Sequence, residues 1–131
     1  MINIEHKSIS DINIKIDQNY TVAFVDIAFN NGDKEHKEYK VVSLAEIQSM
    51  IKFGKDICIN DKYIRGFSYA GLCPEKNGVL HNFSAENAFF DGRTDFSEAI
   101  FDGSVSFSNA MFWDGSVNFE MAKFKYNLPN Q

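Results

Sequence analysis

The side chains able to do chemistry are few, and their spacing does not assemble them. The three histidines, His6, His36 and His81, are far apart and none has a partner at metal-ligand spacing. Cys58 and Cys73 lie in unlike contexts, beside no sequence-local histidine and in no paired-cysteine motif, so reduced thiols are expected. There is no Gly-x-Ser-x-Gly elbow, no phosphate loop and no dinucleotide fingerprint. Carboxylates are plentiful, but Asp91, Asp102 and Asp114 each precede a glycine, a pairing that turn chemistry explains. These residues predict no catalytic, cofactor or metal site, and point to a non-catalytic protein.

What the carboxylates do offer is charge. The chain has a net charge of −5, unevenly placed: residues 1–66 carry 9 Lys/Arg against 10 Asp/Glu, and residues 67–131 carry 4 against 8. Between residues 83 and 122 Arg93 is the only base, facing Glu86, Asp91, Asp95, Glu98, Asp102, Asp114 and Glu120. Such a block repels nucleic acid and suits a basic groove on a protein partner; solubility alone also accounts for it. Direct nucleic-acid binding is not expected, because no basic patch is present.

The elements that must position this charge repeat. Phe-Ser-Glu-Ala-Ile-Phe at 96–101, Phe-Ser-Asn-Ala-Met-Phe at 107–112 and Phe-Glu-Met-Ala-Lys-Phe at 119–124 align almost letter for letter. An earlier copy runs from Phe67 to Leu72, and residues 83–90 form a looser one. Each phenylalanine has a small or β-branched residue two places before it: Ala88/Phe90, Thr94/Phe96, Ala99/Phe101, Val105/Phe107, Ala110/Phe112, Val117/Phe119 and Ala122/Phe124. Residues two apart share one side of an extended chain, so each pair projects inward together. The Asp-Gly pairs are expected to supply the positive φ of tight corners. Phenylalanines at intervals of five, six and seven residues wander around a helical wheel, which excludes an amphipathic helix.

This small-x-Phe unit resembles the pentapeptide-repeat proteins, in an irregular, phenylalanine-rich form covering the C-terminal half. The resemblance implies a short right-handed quadrilateral β-helix (β-solenoid) over 67–124, with Phe90, Phe96, Phe101, Phe107, Phe112, Phe119 and Phe124 as its central inward residues. Members of the topoisomerase-protecting type are acidic rods resembling duplex DNA. By that resemblance the chain is expected to inhibit a nuclease, CRISPR effector or topoisomerase, as a phage or mobile-element counter-defence (anti-CRISPR) or topoisomerase-protecting protein would. Asp91, Asp95, Glu98, Asp102, Asp114 and Glu120 are the candidate partner-binding residues. Trp113, which lengthens one corner, is expected either to protrude as an interface anchor or to fold back over the coil surface.

Residues 1–66 read as an α+β module of antiparallel strands and one helix, capping the solenoid. Alternation at 2–4 and 9–16, an apolar run from Tyr20 to Phe29, a turn at Asn30–Asp33 and a charged return strand at 34–42 predict the strands. Ser43-Leu-Ala-Glu46 is a capping box opening a helix that Gly54 ends. Its role is packing on the strands or plugging the solenoid. The alternative function is a protein–protein adaptor or toxin-immunity protein that recognises its partner through this module. Residues 125–131 form a tail without the repeat. No segment reaches the length of a membrane helix and no signal-peptide layout opens the chain, so a cytoplasmic protein is expected. An exposed end of the solenoid is a place where a homodimer is expected to form.

Overall fold

The computed structural model describes residues 8–72 and 79–125. The fold is mainly β, with thirteen short strands and two helices among the described residues. The chain divides into two compact units, Met1–Val41 and Val42–Gln131. The boundary expected at residue 66 therefore lies inside the second unit.

The first unit is an antiparallel sheet of β1 (Ile9–Ile16), β2 (Val22–Phe29) and β3 (Lys34–Val41). The strand read at residues 2–4 lies outside the described residues. The register opposes Ile12 to Ile27, Ile14 to Val25 and Ile16 to Ala23, which puts the apolar alternation of β1 and β2 on one face. Ala23, Val25 and Ile27 are buried. Asp17 holds the first turn: its carboxylate accepts from the amides of Thr21 at 2.6 Å and Val22 at 3.0 Å, and from the Thr21 hydroxyl. The Thr21 hydroxyl, then the amide bonds, hold this carboxyl below its ordinary pKa. On the polar face the His36 ring contacts Asp26 at 2.6 Å and stacks beside Phe24. The hydrogen bond to Asp26 raises its pKa above 6.5.

The second unit opens with α1 (Leu44–Lys52). Ser43 caps it, its hydroxyl accepting from the Glu46 amide at 3.1 Å, and Gly54 at φ 64° follows its end. Leu44, Ile47, Met50 and Ile51 pack against a cluster containing Ile57, Ile59, Phe83 and Phe90. The cluster against which α1 packs is that of the repeat-bearing unit.

Short parallel ladders follow. β4 (Ile57–Cys58), β6 (Phe83–Ser84) and β10 (Val105–Ser106) form one; β5 (Lys62–Arg65), β7 (Phe89–Asp91) and β11 (Met111–Trp113) form the next. β8 (Thr94–Asp95) pairs with β12 (Val117–Asn118), and Ser68 bridges to Asp95. β9 (Ile100–Phe101) pairs with β13 (Lys123–Phe124), and Leu80 bridges to Phe101. Every pairing in this unit is therefore between successive passes of the chain, all running the same way. The first pass begins at Ile57, where isoleucines at 59 and 64 stand in the interior before the phenylalanines begin. The copy read at 67–72 leaves the ladder after Ser68 for a helical turn, α2 (Tyr69–Leu72). Ser68 starts it, accepting from the Gly71 amide on its hydroxyl and from the Leu72 amide on its carbonyl.

The corners match the expectation only in part: Gly92 and Gly103 of the Asp-Gly pairs take positive φ, at 87° and 152°, and other corners do not use glycine. Five of them are tight turns inside the repeated hexad, closed by bonds such as Ala99 N–H to the Phe96 carbonyl and Ala110 N–H to the Phe107 carbonyl, both 3.0 Å. Their positive φ, near 60°, falls on Asp61, Asn87, Glu98, Asn109 and Met121 rather than on glycine. The Asp-Gly glycines at 103 and 115 are required by close approach. A Cβ on Gly103 would lie 2.3 Å from Asn82 Oδ1, and one on Gly115 would lie 2.4 Å from the Gly92 carbonyl carbon.

Inside, the rings stack in columns. Phe90 lies on Phe112 at 4.8 Å, Phe101 on Phe124 at 4.8 Å, and Phe96 between Phe67 at 4.5 Å and Phe119 at 5.0 Å. Phe83 and Ala85 reverse the small-then-large order of Val105 and Phe107, so the Phe83 and Phe107 rings meet diagonally at 5.4 Å. Burial falls along the chain: Phe90, Phe96 and Phe101 are fully buried, Phe107 and Phe112 half-buried, and Phe124 is 54% exposed. Phe96 touches the rings of Phe67, Phe83, Phe90, Phe101, Phe107 and Phe119. Phe96→Ala is expected to cost about 3–5 kcal/mol in denaturant unfolding and Phe124→Ala less than about 1 kcal/mol. Equal effects would mean that Phe96 is not the centre of the packing. Thr94 is buried with its hydroxyl unpaired, where the neighbouring passes place Phe67 and Val117. Thr94→Val removes that unpaired group and is expected to raise stability by about 1 kcal/mol, read as a higher denaturation midpoint.

Candidate functional site

The seven candidate residues separate into two groups. Asp91 and Asp95 are turned into the structure. Asp91 ends β7 with its side chain 13% exposed, accepts from the Tyr63 hydroxyl, and lies 3.8 Å from Arg65 Nε. Burial, reinforced by the bond to Asp91, pushes the Tyr63 phenol up to about 12, so it remains a donor. Asp95 accepts from the Ser97 amide at 2.8 Å and pairs with Arg93 at 3.5 Å. The bond from Ser97, more than the Arg93 charge, holds its carboxyl below 3.8. Asn118, its neighbour in β12, accepts from the Glu120 amide in the same way. Both aspartates are thus structural caps, with a cation nearby to offset each.

Glu98, Asp102, Asp114 and Glu120 are exposed, and none has an ion-pair partner among the described residues. Glu98 and Asp114 sit at corner positions of positive φ, at 61° and 56°. The Glu98 amide donates to the Glu120 carbonyl at 2.9 Å, so these two acids occupy adjoining turns of successive passes. The structure thus brings Glu98 and Glu120 together at one corner and leaves Asp102 and Asp114 at two others.

Trp113 does not protrude. It is half-buried and remains in its ladder opposite Asp91, and the Gly92 amide donates to its carbonyl at 2.7 Å. The additional residue is taken up beyond it. From Arg65 to Ser68 two residues intervene, from Asp91 to Asp95 three, and from Trp113 to Asn118 four.

Two asparagines that bond between passes escaped the sequence reading. Asn60 Oδ1 accepts from the Ser84 hydroxyl at 2.6 Å and the Glu86 amide at 2.8 Å, and Asn82 Oδ1 accepts from the Ser104 amide at 2.9 Å. Both asparagines sit at corners one pass before their partners, a spacing that the Asn-Ser recurrence at 82–84 and 104–109 hints at only weakly. Among the described residues no group of three or more His, Cys, Asp or Glu side chains is placed to hold a metal ion. Cys58 is a free, exposed thiol and Cys73 lies outside the described residues. No helix among the described residues is long and apolar enough to cross a membrane.

Comparison with protein-family models, with curated proteins and with solved structures gave no match.

The division of the acids is testable by stability. Replacing Glu98 and Glu120 by Gln and Asp102 and Asp114 by Asn together is expected to change unfolding free energy by less than about 0.5 kcal/mol, since these side chains make no ion pair or hydrogen bond among the described residues. Asp95→Ala removes a turn cap and is expected to cost about 1 kcal/mol. Because the folded carboxyl of Asp95 titrates below its unfolded value, its contribution is present above about pH 4. It is lost as pH falls through the folded value, so acid titration narrows the gap between Asp95→Ala and the parent. A gap that stays constant below pH 4 would show that Asp95 acts through packing alone.

Proposed function

We propose that residues 57–124 wind as a short right-handed quadrilateral β-helix of the pentapeptide-repeat kind. We propose further that its acidic outer surface makes this a non-catalytic binding protein. The four parallel ladders, the inward small-x-Phe pairs and the turns at regular intervals support the first statement. Glu98, Asp102, Asp114 and Glu120, exposed and without an ion-pair partner among the described residues, carry the second.

The partner fitting such a surface is a protein with a basic groove, and the commonest basic grooves are those built to hold nucleic acid. A nuclease, a CRISPR effector or a topoisomerase satisfies that chemistry. The chain then acts as a counter-defence inhibitor or a topoisomerase-protecting protein, occupying the groove in place of the phosphate backbone. Four free carboxylates on fixed corners give a rigid charge pattern that costs little ordering on binding. Recognition dominated by such pairs accelerates encounter and weakens steeply with added salt.

The test is an affinity pull-down from a bacterial lysate at about 0.05 M and about 0.5 M salt, concentrations that leave and remove long-range attraction. The bait is run in parallel as the parent and as the fourfold Glu98→Gln, Asp102→Asn, Asp114→Asn, Glu120→Gln variant, with mass spectrometry of the retained proteins. The expected outcome is a nucleic-acid-handling enzyme held by the parent at low salt, released at high salt and not held by the variant. A partner held equally by both baits at both salts overturns the acidic-surface reading and favours an adaptor or toxin-immunity protein.

A further inference from the structure

The strand β1 is paired on one side only: among the described residues it bonds to β2 and to nothing beyond. Which of its backbone groups are free follows from the register. The Asp17 amide donates to the Val22 carbonyl at 3.0 Å, continuing the register of Ile16 with Ala23 and marking a directly hydrogen-bonded pair. Antiparallel ladders alternate bonded and non-bonded pairs. The amides and carbonyls of Lys15, Asn13 and Asp11 therefore point to β2. Those of Ile12, Ile14 and Ile16 point to the open edge.

The side chains along that edge have a symmetry of their own. Asp11-Ile12-Asn13-Ile14-Lys15 reads the same in polarity from both ends and opposite in charge. Asp11, Asn13 and Lys15 share the exposed face, while Ile12, Ile14 and Ile16 share the half-buried one. Neither Asp11 nor Lys15 has an ion-pair partner among the described residues. Natural edge strands are usually guarded by a proline, a bulge or an inward charge. The irregularity between Ile9 and Asp11 guards the start of β1, and the run from Ile12 to Ile16 is left open.

We propose that β1 is a self-pairing edge, on which a second copy of this chain adds its own β1 antiparallel about a two-fold axis at Asn13. In that register Ile12 of one copy faces Ile14 of the other. Both residues present free backbone groups, so the pair is hydrogen-bonded on the open edge. Asp11 then faces Lys15 of the other copy, twice by symmetry, at non-bonded positions where opposed side chains come closest. The isoleucines continue the apolar face across the junction, and the two copies share one continuous sheet. Sliding one strand by two residues opposes Asp11 to Asn13 or to Asp17, so the charge pattern selects a single register. The interface is isologous, as a closed dimer requires. It belongs to the first unit and does not rest on the function proposed above.

Sedimentation of the full chain over a concentration series tests the pairing. The expected result is a monomer–dimer equilibrium. Lys15→Asp and, separately, Asp11→Lys each place like charges together and weaken it by about tenfold or more. The double exchange Asp11→Lys/Lys15→Asp restores it, since the charges again meet their opposites. All four positions altered across a dimer are exposed, so the melting temperatures of the single variants are expected to match the parent, and either single variant suffices. A chain that is monomeric up to about 1 mM, the weak limit of specific association, overturns the proposal. So does a dimer indifferent to the single exchanges, or one that the double exchange fails to restore.

Discussion

The second unit depends on one constraint: rings must fill a space whose walls are strands of only two to four residues. Strands that short bond too little backbone to hold together alone. Their inward side chains must supply the rest. Phe96 meets six other rings, and its two stacked neighbours, Phe67 and Phe119, come from the passes on either side of it. An alanine, threonine or valine two residues earlier makes room for each ring of the pairs from Phe90 to Phe124, and the backbone ladders then fall into register because the rings do. The helix α1 supplies aliphatic surface to the same cluster, so the capped helix and the repeat form one packed body.

Much of this was legible in the chain. The small-x-Phe pairing identified the buried residues of the first three pairs, Ala88, Phe90, Thr94, Phe96, Ala99 and Phe101, whereas the later pairs are half-buried and, at Val117, Phe119 and Phe124, exposed. The hairpin around Asn30–Asp33 and the helix after Ser43 were legible because turn and cap chemistry is local. The start of the ladders was hidden, because Ile59 and Ile64 do the work of phenylalanines without sharing their letter. The order of Phe83 and Ala85 was hidden too. A single ring and a single methyl exchange places there without changing the volume they fill together, and volume is what packing conserves.

The candidate site was harder to read, because sequence gives charge but not the direction in which it points. Asp91 and Asp114 both precede a glycine, yet one is held by Tyr63 and the other stands free. Asp95 and Glu98 are three residues apart, yet one caps the turn that the other decorates. Trp113 counted as an additional residue only while Asp91 was aligned with Asp114. The parallel register aligns Asp91 with Trp113 instead, and no local pattern announces that shift.

The corner that follows Arg65, Asp91 and Trp113 takes up one more residue at each pass while the ladders on both sides keep their pairing. Length is therefore unconstrained at that corner in a way it is not at the tight turns around Asn87, Glu98 and Asn109. A flexible loop costs only about 0.6 kcal/mol more for each doubling of its length. The position between Asp114 and the tightly packed Gly115 is thus a natural graft point. A foreign epitope or a spectroscopic tag spliced there would be displayed from a rigid frame without disturbing it.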